Sequence, residues 1–213
     1  MNTRKLRLVV AIGVLVVAAS AAPARADSVV YDNGPLDGNT QAYSINFGFS
    51  VSDSFQVNQD FLVLTGATIG LWVSSGDRPH FVDWSLGTSF FGSDIASGTS
   101  VLKNTLDFTN RFGYDVYTSA LSFANLENLF WQPGITYYLT IQNAISAKGK
   151  FVYWDQNGGP SQAMDSSLGS VPSETFQIIG RQVGDMTPEP ASLLLLGTGL
   201  LGLAGGIRKR MKA

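Results

Sequence analysis

Tyr43, Ile45, Phe47, Phe49 and Val51 alternate with Ser44, Asn46, Gly48, Ser50 and Ser52. A period of two puts one apolar and one polar face on an extended chain, which predicts a strand over 43–51, resumed by Phe55 and Val57. Further short apolar runs follow at 61–64, 67–73, 81–86, 101–108, 114–118, 137–142, 151–154 and 175–179. Turn-forming clusters separate them: Asp32-Asn33-Gly34-Pro35, Ser74-Ser75-Gly76-Asp77, Pro133-Gly134 and Asn157-Gly158-Gly159-Pro160. Pro133-Gly134 suits the centre of a type II turn, because proline presets φ and glycine accepts φ > 0. Only 122–129 looks helical, with Phe123, Leu126, Leu129 and Phe130 at spacings of three and four, enough for a turn or two. Many short strands rich in β-branched and aromatic residues predict an all-β domain over residues 27–187: an antiparallel β-sandwich, jelly-roll-like.

The two ends break this pattern. Arg4, Lys5 and Arg7 precede an apolar or small stretch over 8–19, and Ala24-Arg25-Ala26 places small residues at the −3 and −1 positions of a cleavage before Asp27. Residues 1–26 therefore read as a signal peptide for the Sec machinery and signal peptidase, its apolar stretch too short for the roughly 20 residues of a membrane span. At the other end, 191–207 carries no charge, and Arg208, Lys209, Arg210 and Lys212 follow. At about 1.5 Å per residue that segment is roughly 26 Å long, the short end of a spanning helix. Each basic residue costs about 2.5–3.5 kcal/mol to draw into the bilayer, so the tip 208–213 stops transfer and stays in the cytoplasm. Thr198, Gly202 and Gly206 recur at a spacing of four, which fits either a face for another membrane helix or the ordinary glycine content of such helices. Pro188-Glu189-Pro190 is an extended strip just outside the expected span.

Pro188-Glu189-Pro190-Ala191, the apolar run 193–196, the glycine-rich half-helix and the Arg208-Lys209-Arg210 tip together resemble a PEP-CTERM sorting signal over 188–213, with Thr187 where that family often has valine. The resemblance implies an exported protein of a Gram-negative bacterium, tethered by one span and handled by an exosortase-type membrane transpeptidase. It further implies a place at the cell surface or outside it, in association with extracellular polysaccharide. It is silent on the activity of the ectodomain.

Composition narrows that activity by exclusion. Residues 27–187 hold six basic against fifteen acidic residues, a balance of −9, so nucleic acid is repelled. With no cysteine, packing and not crosslinking must stabilise the exported domain and thiolate metal sites are removed, and a single histidine, His80, argues against zinc catalysis. No Gly-x-Ser-x-Gly occurs, and Glu127 and Glu174 lack distinctive surroundings, so no catalytic residue is assigned and the domain reads as non-catalytic.

The densest candidate is Phe151 to Gly159, FVYWDQNGG, where Trp154 has the plane to stack on a sugar and Asp155 and Asn157 the polar atoms to bind its hydroxyls. The alternative is structural, with Phe151 and Tyr153 facing the core and 155–159 forming a hairpin turn. Trp72, Trp84 and Trp131 are further stacking candidates. Asp83, near His80, is either a buried group with a shifted pKa or a polar residue on an outer face. Asp32-Asn33-Gly34 and Asp155-Gln156-Asn157-Gly158 offer oxygens to calcium in tight turns, though neither has the spacing of a dedicated calcium loop, and no metal ligand is assigned. The functional expectation is a structural or adhesive component of the envelope or extracellular matrix. A carbohydrate-binding module is the alternative, and a polysaccharide-active hydrolase a weaker third.

Overall fold

The computed structural model describes residues 27–58, 62–124, 126, 129 and 131–182. The expected signal peptide with Ala24 and Ala26, the sorting motif Pro188-Glu189-Pro190, the span 191–207 and the tip Arg208, Lys209, Arg210 and Lys212 lie outside the described residues, as do Phe61, Glu127 and Phe130. The chain divides into two compact units, Met1–Arg181 and Gln182–Ala213, and the first holds nearly all of the described residues.

Thirteen strands make up the described fold: β1 (Ser28–Asp32), β2 (Ala42–Ser44), β3 (Ser50–Gln56), β4 (Leu62–Ser74), β5 (Pro79–Gly87), β6 (Ala96–Val101), β7 (Lys103–Thr109), β8 (Tyr114–Ser122), β9 (Thr136–Ser146), β10 (Val152–Asp155), β11 (Ala163–Asp165), β12 (Gly169–Val171) and β13 (Phe176–Gln182). They form two antiparallel sheets. Seven strands run β1-β13-β4-β10-β2, with β8 also paired to β4 and β7 to β8; the other six run β12-β11-β3-β9-β5-β6. The expected all-β sandwich is what the chain adopts. Its core, from Ile45, Val51, Phe55, Ile69, Leu71, Val82, Trp84, Leu139, Ile141, Val152, Trp154 and Phe176, lies between the inner faces.

The expected strand boundaries shift where the chain changes sheets. The alternation over 43–51 is not one strand. It is interrupted between β2 and β3 by a turn in which Phe49 N–H donates to Asn46 O, with Phe47 (φ 56°) and Gly48 (φ 92°) left-handed. Ile45 and Val51 stay in the core while Phe47 is 61% exposed. The run 101–108 is likewise split: Leu102, buried, turns the chain from β6 in one sheet to β7 in the other. In contrast, 61–64 and 67–73 belong to one long strand, β4, as far as they are described. Near 122–129, where one or two helical turns were expected, Ser122 ends β8 and one i→i+3 bond joins Leu129 N–H to Leu126 O. Pro133-Gly134 forms the expected turn, with Gly134 at φ 77° and Ile135 N–H donating to Gln132 O.

Candidate functional site: an aromatic strip on the outer face

The seven-stranded sheet carries a second, smaller set of packed side chains on its outer face. Trp72 of β4 pairs with Val116 of β8 on one side and Tyr153 of β10 on the other, so all three project outward. Against them folds the loop 33–41, where Leu36 lies over Gly70 and the Phe108 ring fills the space beside Gly38 (φ 68°) and Val116.

Asp155 pins this loop. Its carboxylate accepts from Asp37 N–H (3.0 Å), Gly38 N–H (2.8 Å), Trp72 Nε1–H (2.7 Å) and the Thr175 hydroxyl (2.7 Å). Burial pushes its pKa up, and these four donors pull it back. Asn157 holds the loop's other end, donating to Asn33 O (2.8 Å) and accepting from Gly159 N–H and the Ser173 hydroxyl. Trp154 is wholly buried, its indole N–H donating to Thr175 O. That corrects the sugar-stacking reading of Trp154, Asp155 and Asn157: the side chains are interior, and their polar atoms are taken by the protein itself. The alternation of β10 also runs opposite to the structural expectation. Val152 and Trp154 face the core, while Phe151 and Tyr153 face out. Residues 155–159 lead from β10 into the other sheet and do not close a hairpin.

In the loops weighed for calcium, both carboxylates are hydrogen-bonded within the protein. Asp32 accepts from Gly34 N–H and Gln177 Nε2–H, and Asp155 is fully engaged. Among the described residues no group of three His, Asp or Glu side chains is arranged to hold a metal ion. Asp83 lies on an outer face as a partly exposed residue, accepting from Thr99 and Asn143 and not from His80.

Beside the pinned loop, six rings follow one another: Phe112, Trp72, Tyr114, Tyr153, Phe151 and Phe47, with successive centroids 6.0, 6.1, 5.6, 5.8 and 4.7 Å apart. Phe112 is stacked on Trp72 and Phe151 on Tyr153. Phe112, Phe151 and Phe47 are 52%, 44% and 61% exposed, whereas the core tryptophans Trp84, Trp131 and Trp154 are buried. Between Phe112, Trp72, Tyr114 and Tyr153 a shallow cavity of about 240 Å³ is edged by Thr40 and Gln41. Burial, and then the neighbouring Tyr114, push the Tyr153 phenol up to about 12, so it stays a neutral hydrogen-bonding group across the physiological range. Arg111 caps one end, its guanidinium carbon 4.7 Å from the Phe112 ring centroid. Trp72 itself is buried beneath its neighbours, and the exposed rings Phe112, Phe151 and Phe47 flank the half-buried Tyr114 and Tyr153. Clustered exposed apolar side chains of this kind can mark an interaction site. Of the sequence candidates only Trp72 belongs to it. Phe47, Phe112, Tyr114, Phe151 and Tyr153 were missed as a set because they come from three segments far apart in the chain.

The described residues form a cysteine-free β-sandwich that carries a strip of aromatic rings on one outer face. Residues 187–210 match the family described as the PEP-CTERM protein-sorting motif, in agreement with the resemblance of the tail. That motif implies export, sorting to the cell surface and processing by an exosortase-type transpeptidase. No curated protein matches the chain. Among the described residues no helix is long and apolar enough to cross a membrane.

Proposed function

We propose that the protein is a non-catalytic, adhesive component of the bacterial surface or extracellular matrix, and that the strip from Phe112 to Phe47 holds neutral polysaccharide. In this reading Sec and signal peptidase export the chain, one span over 191–207 tethers it, and the transpeptidase acts near Pro188-Glu189-Pro190. The alternation of β3, β4 and β5, and again of β8, β9, β10 and β11, between the sheets supports a jelly-roll winding of the ectodomain. No catalytic group or cofactor is required.

The observation that carries the reading is the run of six linked rings with a hydroxyl and an amide at its edge. Flat ring faces take up the C–H faces of sugars, and neutral Tyr, Thr and Gln groups hydrogen-bond hydroxyls. The acidic balance of the domain disfavours anionic polymers. The test is binding of the full chain, in a non-glycosidic detergent, to immobilised neutral polysaccharides. Tyr153→Ala and Phe112→Ala should each weaken binding about tenfold or more while leaving the melting temperature within a few degrees. Unchanged binding in both variants overturns the strip as the site. Release of new reducing ends from any polymer overturns the non-catalytic reading.

A further inference from the structure

The outer face of the six-stranded sheet has a different chemistry. The pairing register places Ser52, Thr140, Ser85 and Ser97 in one row across β3, β9, β5 and β6. The adjacent row is Ser50, Gln142, Asp83 and Thr99. Eight polar side chains, none basic, thus tile four neighbouring strands. A solvated sheet face is ordinarily polar, but this floor is partly roofed. The loop 88–94 crosses it, with Phe91 N–H donating to Ser52 Oγ (3.2 Å) and Ser85 Oγ–H donating to Gly92 O (2.9 Å). Ser52 and Thr140 are buried beneath it and hydrogen-bonded to each other (2.9 Å). What remains open is a cleft of about 350 Å³ between Asp83, Gln142, Ser97, Thr99, Phe91 and Ser93. That volume falls within the range of small-molecule sites, roughly 300–1,000 Å³.

Two features show that the cleft is built and not left over. A bulge between Phe81 and Asp83 disrupts the β5–β9 register and leaves Asn143 left-handed, at φ 49°. The Asn143 side chain donates to Asp83 Oδ2 (2.9 Å), while the Thr99 hydroxyl donates to Oδ1 (2.5 Å). Asp83 is thereby held in place by two neutral donors, with further acceptor capacity on each oxygen. Phe91 is also left-handed, at φ 60°, and 37% exposed on the cleft wall. A bulky residue in that conformation is strained, and such strain collects at functional sites. Among the described residues only Phe47, Phe91 and Asn143 are left-handed without being glycine: one on the aromatic strip, one on the cleft wall, and one outside the cleft lining but bonded to its Asp83.

We infer that this cleft is a second binding site, for a neutral, polyhydroxylated small ligand such as one or two sugar units. Asp83 and Gln142 take vicinal hydroxyls as acceptors, Ser97 and Thr99 serve as donors or acceptors, and Phe91 covers an apolar C–H face. An anionic ligand meets the Asp83 carboxylate with no cation to offset it. The inference does not depend on the aromatic strip, which lies on the other sheet.

The test is isothermal titration of the full chain, in a non-glycosidic detergent, with neutral mono- and disaccharides, too short to span the strip. Binding in the millimolar range or tighter is expected, weakened at least tenfold by Asp83→Ala and by Thr99→Val, and unchanged by Tyr153→Ala. Thr99 is an exposed edge residue, so its variant keeps the proposal testable if Asp83→Ala disturbs the fold. Binding that survives both cleft variants, or no binding to any saccharide of the panel, overturns the site. Loss of polysaccharide binding in Tyr153→Ala alone concerns the strip and leaves the cleft standing.

Discussion

Glu174 is fully buried, and neither of its carboxyl oxygens has a hydrogen-bond partner. Burial, followed by the carboxylates of Asp53, Asp155 and Asp165, raises its pKa well above the ordinary range. Asp53, also buried, is pushed up to about 6 by desolvation, even though Glu174 N–H, Ser54 N–H and the Asn33 amide donate to it. Both groups hold their protons more tightly in the folded than in the unfolded chain. Their stabilisation is therefore complete below the ordinary carboxylate range and is lost as pH rises, for Asp53 between about 4 and about 6 and for Glu174 further up. The Asp53 shift alone is worth about 3 kcal/mol. Melting temperature should fall from pH 5 to pH 8, and Glu174→Gln should flatten the upper part of that fall and melt higher than the parent at pH 8. An equal slope in parent and variant would show that Glu174 is ionised in the folded protein. Asp155 gives a second expectation. Asp155→Ala leaves four donors unpaired, each worth about 1–3 kcal/mol if it stays buried. A loss of at least 3 kcal/mol, about 10 °C at some 2–4 °C per kcal/mol, should appear in thermal unfolding.

At the scale of elements, the hydrophobic pattern found most of the strands and misjudged where they break. Period two over 43–51 is real, but alternation alone does not distinguish one strand from two that meet at a left-handed Phe47. The same limit applies at Leu102, where a single buried residue moves the chain from one sheet to the other. On β10 the pattern Phe-Val-Tyr-Trp is apolar on both faces, so the sequence contains no sign of which pair faces the core. The loop 33–41 turns the outer face of that strand into a second packed layer. Gly38 is its narrowest point: at φ 68°, with the Phe108 ring against it, an added Cβ has no room. Gly38→Ala should cost about 1–3 kcal/mol and loosen the loop, seen as faster amide exchange at Asp37 and Gly38, whose N–H groups bond Asp155. Unchanged exchange would mean that the ring moves aside freely.

For the whole molecule, the tail and the sandwich have separate tasks. The match of residues 187–210 to a sorting motif predicts that mass spectrometry of the surface fraction recovers the protein without its basic tip, cut near Pro188-Glu189-Pro190. Replacing that tripeptide with Ala-Ala-Ala should leave Arg208 to Ala213 intact and the protein in the membrane fraction. An intact tip in every fraction of the parent would overturn processing. The two outer faces, one aromatic and one polar, belong to the sandwich and not to the tail.

The sequence by itself determined the sorting tail, the all-β class and the type II turn at Pro133-Gly134. The tail was recognised by its resemblance to a known motif; the all-β class and the turn rest on short contiguous patterns whose physics is local, period two and the φ preferences of proline and glycine. Tertiary structure alone decided the two sites. The aromatic strip gathers rings from residue 47 to residue 153, and the polar cleft is a matter of register between β3, β9, β5 and β6. It also decided that Trp154, Asp155 and Asn157 are interior. A loop more than a hundred residues earlier in the chain covers Asp155, and desolvation by distant segments is not encoded in the spacing of neighbours.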